Sequence, residues 1–78
     1  MKPYYMLEVD KKNNAQIIEY IQKIYFRHAS PKESFEYSQK LNKFPTKEML
    51  LIELVQNFDD LAIITENENL QNVIANSI

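Results

Sequence analysis

The chain is 78 residues long, with nine Lys or Arg, eleven Asp or Glu, one His, a formal charge of −2, and neither Gly nor Cys. That length holds one hydrophobic core and therefore one domain. Without Cys and with a single His, a disulfide framework, thiolate metal sites and the usual zinc constellations are excluded; without Gly, so are the P-loop, the dinucleotide fingerprint and the EF-hand calcium loop.

A hydrophobic content of 45% must stabilise the fold by burial alone, which leaves a thin margin and makes a partner or a homo-oligomer an expected contributor. Turns fall to Asp, Ser, Pro and eight Asn, the commonest residue after Gly to take left-handed backbone angles. The first residues lack the apolar run of a signal peptide, and no stretch approaches a membrane span, so the expected location is cytoplasmic and no membrane partner is predicted. Charge is divided unevenly. All nine bases lie in residues 1–47 beside five acids, whereas residues 48–78 carry six acids and no base. Such a split makes the molecule a dipole unless the two halves neutralise each other within the monomer.

Residues 4–9 alternate, with Tyr5, Leu7 and Val9 on one side and Tyr4, Met6 and Glu8 on the other, which predicts a short strand. Lone strands are unstable, and residues 61–65, apolar and β-branched, are the only plausible mate. After a polar turn, Asn13 or Asn14 is placed to cap a helix running to about His28, with Ile17, Ile18, Tyr20, Ile21, Ile24 and Tyr25 on its core face and Phe26 opposite. Ser30, Pro31 and Glu33 spell an N-cap, a first-turn proline and a capping box. That next helix carries Tyr37, Leu41 and Phe44 on one side and Phe35 alone on the other, and Pro45 is expected to end it.

Residues 46–58 hold the densest apolar run. At 100° per residue Leu50, Leu51, Leu54, Val55 and Phe58 fall within an arc of about 140°, wide enough to face a core. Met49 and Ile52 fall outside that arc, near Glu53 and Gln56. Asp59 and Asp60 are read as a break before a strand, although Leu61 and Ala62 would also continue the helical stripe. Residues 65–68 then read as a second capping box, opening a final helix with Leu70, Val73, Ile74, Ser77 and Ile78 on one face. The fold class predicted is mostly α: a small four-helix domain with a short N-terminal strand offering itself to residues 61–65.

Chemistry is sparse. His28 is the one side chain of a type whose unperturbed charge change lies near neutral pH, but no nucleophile or oxyanion site is recognisable in the sequence, so a structural role at a helix end is expected. Asp59, Asp60, Glu66 and Glu68 match no metal spacing, and turn formation and capping explain them. No catalytic residue, metal or cofactor is predicted, and the chain is read as non-enzymatic. Eight of nine aromatics and all the bases lie in residues 1–47, a mixture that suits nucleic acid. A helix-turn-helix drawn on residues 30–41 and 46–58 would, however, present a recognition helix with one Lys, two Glu and a wide apolar face, which phosphates disfavour.

The run Leu50, Leu51, Ile52, Glu53, Leu54, Val55, Gln56, Asn57, Phe58, Asp59, followed by Leu70, Val73, Ile74 and Ile78, resembles the second and last helices of acyl and peptidyl carrier proteins. The resemblance covers less than half the chain and implies a four-helix domain. That family attaches phosphopantetheine to a serine at the start of the second helix, where this chain has Lys43, Phe44 and Pro45. A carrier-like domain without the cofactor serine is what it implies.

The leading expectation is a protein-binding or self-associating module, of the inhibitor, immunity or antitoxin type. Its contact is read as Met49 and Ile52 with Glu48 and Glu53, joined by Phe26 and Phe35, because these apolar side chains project away from the faces their own helices bury. Nucleic-acid binding through the basic half is the alternative.

Overall fold

The alternation in the first strand orients it: Leu7 and Val9 are fully buried and Tyr5 is half-buried, while Met6 and Glu8 face outward. In the computed structural model, which describes residues 5–25, 27 and 29–78, the elements follow in the order β1 (Tyr5–Glu8), α1 (Asn14–Tyr25), α2 (Pro31–Leu41), α3 (Lys47–Asn57), β2 (Leu61–Ile64) and α4 (Glu68–Ala75). The domain is mostly α, with four helices among the described residues and one two-stranded sheet.

β1 and β2 pair in parallel, Tyr5 opposite Leu61 and Glu8 opposite Ile64. Parallel strands need a crossover, and here α1, α2 and α3 supply it. The core fills the space between sheet and helices: Leu7, Val9 and Leu61 from the sheet, Ile17, Ile18, Ile21 and Ile24 from α1, Leu41 from α2, Leu50, Leu51 and Leu54 from α3, and Leu70 from α4. Every one of these apolar positions lies on the face that helical or strand periodicity assigns inward. Tyr37 on α2 closes edge-to-face on Phe58 at the end of α3, with ring centroids 5.8 Å apart.

The caps explain where the helices begin. Asn13 Oδ1 accepts from the Gln16 N–H and Gln16 Oε1 accepts from the Asn13 N–H, each at 2.9 Å, so Asn13 closes a reciprocal box at the head of α1. Ser30 Oγ accepts from the Glu33 N–H with Pro31 in the first turn, and Thr46 Oγ1 accepts from the Met49 N–H. The break at Asp59 and Asp60 is real: Phe58 leaves α3 in an extended conformation and β2 follows.

Four expectations need correction. Thr65 does not cap α4; its hydroxyl is turned to Asp10, and Asn67 Oδ1 takes the Leu70 N–H instead. Pro45 does not end α2, which closes at Leu41 with Asn42 as its C-cap. Ser77 and Ile78 lie beyond α4, and Ile78 is 93% exposed. Among the described residues no backbone takes a positive φ: Asn42 and Asn76 close their helices in the right-handed region, so the expected left-handed asparagines are not found among the described residues. Tyr4, Phe26 and His28 lie outside the described residues. The sheet is also a feature that the carrier-protein resemblance did not imply.

Candidate functional site

Asp10 and Tyr20 are the described groups whose acidity is displaced, and both have structural engagements. Asp10 follows β1 by two residues, where its carboxylate reaches the segment leaving β2: Oδ2 accepts from the Glu66 N–H at 2.8 Å and Oδ1 accepts from the Thr65 hydroxyl. These bonds, the backbone one foremost, hold the Asp10 carboxyl below its ordinary range against desolvation, and Lys47 adds a lesser attraction. Tyr20 on α1 donates to the Met6 carbonyl at 3.3 Å, and burial, aided by Tyr5 and opposed by Arg27, pushes its phenol upward. Tyr20 thereby covers the outer edge of β1. Lys47 Nζ donates to the Val9 carbonyl at 2.7 Å and anchors the start of α3 to the end of β1. Among the described residues no three His, Cys, Asp or Glu side chains gather to hold a metal ion.

The α3 residues singled out by periodicity separate into two groups. Met49 is 46% exposed and Glu48 is exposed, whereas Ile52 is half-buried. Glu53 faces inward, paired with Lys40 at 3.0 Å and accepting from Asn57 Nδ2 at 2.8 Å. Phe35 on α2 is 61% exposed. Three bases of the N-terminal half have internal partners, Lys23 with Glu19, Lys40 with Glu53 and Lys47 with Val9, which reduces the cationic surface available to phosphates.

A second apolar surface lies around β2, and the sequence reading did not single it out. The outward face of the sheet carries Met6, which is 65% exposed, with Ala62 and Ile64 on β2. Parallel sheets ordinarily have both faces covered; this one has a bare face. Round the far edge of β2 the surface becomes a groove. One stretch is lined by Val55 and Phe58 from the end of α3, Ile63 from β2, and Ile74 and Ile78 from the C-terminal segment; Asp59 is its charged member. The adjoining stretch runs past Ile64, Gln71 and Ala75.

Among the described residues nothing pairs with the backbone at that edge. Asp60 and Ile64 accept from the Tyr5 and Val9 N–H groups, and in a parallel ladder alternate residues point to opposite sides. The N–H and C=O of Leu61 and Ile63 therefore face away from β1, where no hydrogen bond among the described residues engages them. Gln71 Nε2 donates to the Thr65 carbonyl at 2.8 Å and closes the edge at its C-terminal end. The available sequence signal was that residues 61–64 are apolar four in a row, one more face than a one-sided strand needs. Which edge stays open depends on where β1 docks, and no local pattern carries that.

The chain matches no protein-family model, and neither the curated proteins nor the solved structures contain a significant match to it.

Proposed function

We propose that this chain is a non-enzymatic protein-binding module. The observation that carries the reading is the apolar groove along β2, where exposed Ile64, Ala75 and Ile78 adjoin a strand edge with which no described residue pairs. A chain of this size gains little by leaving such surface in water, since each buried CH₂ is worth about 0.8 kcal/mol, and contiguous apolar patches mark contacts. Supporting the non-enzymatic part, the two displaced titratable groups have structural work: Asp10 joins the ends of the strands and Tyr20 covers β1. Met49, Ile52 and Glu48 on α3 are a second candidate contact and exposed Phe35 on α2 a separate one, and self-association is proposed for these. Glu53 is tied to Lys40 and contributes less to the α3 contact.

A photo-crosslinking residue placed at Ala75, at Met49 or at the exposed Lys32 tests the reading in the cells that make the protein. Adducts with another polypeptide are expected from position 75 or 49 and none from 32. Dimers formed by the purified chain on irradiation would identify self-association. If 75 and 49 gave no adduct, or if 32 gave the same ones, the module reading would be wrong.

A further inference from the structure

The groove has a chemistry that narrows its occupant. Its centre offers hydrogen-bonding backbone at Leu61 and Ile63 between apolar walls. The segments flanking β2 are acidic, with Asp59, which lines the groove, and Asp60 before it and Glu66 and Glu68 after it; Lys11 shares the cleft beside Glu66, so the acidic excess is greatest at Asp59 and Asp60.

We propose that the outward edge of β2 accepts an added strand from a different protein. The incoming segment is extended, about five residues long, apolar at alternate positions and flanked by Lys or Arg. The inference rests on the protein-binding reading and names the partner at that site. Main-chain bonds to Leu61 and Ile63 supply attachment, alternate side chains enter between Val55, Ile74 and Ile78, and the basic flanks meet the acidic ends. A second copy of this chain fits poorly: two β2 strands paired antiparallel about Ile63 would set Asp60 against Glu66 on both sides of the axis, and like charges placed opposite are destabilising. Nucleic acid meets the same acids through its phosphates.

The Ile63→Pro variant separates the edge from the fold. Position 63 points its N–H away from β1, the setting in which a strand tolerates proline, so the ladder stays intact while the docking donor is lost. Panning a displayed library of random peptides about ten residues long against the full chain provides the probe. The expected winners alternate apolar residues between Lys or Arg flanks. A synthetic copy of the winner is expected to shift the Leu61 and Ile63 amide resonances, to bind roughly tenfold more weakly to Asp59→Asn with Glu66→Gln, and to fail with a folded Ile63→Pro. Winners that are acidic, winners that perturb the Met49 face instead, full binding by Ile63→Pro, or no winner at all would overturn the proposal. Crosslinks from Met49 alone would discard strand addition and leave the protein-binding reading standing.

Discussion

Lys40 Nζ stands 3.0 Å from Glu53 Oε1, an ion pair that links α2 to α3. The acidic end is the more buried of the two, at 15% exposure, and Asn57 Nδ2 donates to the same oxygen. Such a pair exceeds the usual surface bridge only modestly. Urea unfolding of Lys40→Ala, Glu53→Gln and the double variant is expected to give a coupling of about 0.5–1 kcal/mol. Additive single effects would mean that the pair holds nothing.

Acid is expected to act through Asp10. Its carboxyl is more acidic in the folded chain than in the unfolded one, so its contribution is complete above the ordinary aspartate value and disappears as pH falls through the lowered one. Asp10→Asn should reduce the urea midpoint at neutral pH, and the gap to the parent should close in strong acid. A gap that stayed constant with pH would remove Asp10 as the cause.

Proline at two neighbouring positions of β2 should have unequal effects. At Ile64 the N–H points toward β1 in the observed register, so Ile64→Pro removes a ladder bond and is expected to cost about 3 kcal/mol or more. Ile63→Pro loses only an outward donor and part of a half-buried side chain, about 1–2 kcal/mol. Equal losses in thermal or urea unfolding would place the open edge elsewhere.

On α3, truncation separates core from surface. Leu54 is fully buried, so Leu54→Ala is expected to cost about 2–5 kcal/mol. Met49→Asp should cost less than about 1 kcal/mol, because nearly half of that side chain already meets water. If Met49→Asp matched Leu54→Ala in unfolding experiments, Met49 would belong to the core and not to a contact surface.

Much of this architecture was legible because the relevant forces are local. Ser30 and Pro31 start α2 through bonds within one turn, and the stripe from Leu50 to Leu54 points inward because helix geometry compels it. What escaped was decided by residues far apart in the chain. Thr65 has every property of an N-cap, yet Asp10, 55 positions away, takes its hydroxyl and leaves the cap to Asn67. At the candidate site the exposure of Met49 followed from periodicity. The groove at β2 did not, because an edge is open or closed according to where another strand lies, and the side of β2 that β1 would occupy is written in no single segment. Glu53 was read as a surface acid for the same reason: its partner Lys40 sits on another helix.

The parallel register also has a temporal side. Tyr5 is paired with Leu61, fifty-six positions later, so during synthesis the first strand emerges long before its mate exists. At typical elongation rates the ribosome needs roughly 3–11 s to cover that distance, and helices form in microseconds. A nascent chain therefore carries Leu7 and Val9 without their final neighbours for seconds, while α1 and α2 are already able to coil. Closure of the sheet is the event that ends that period of vulnerability.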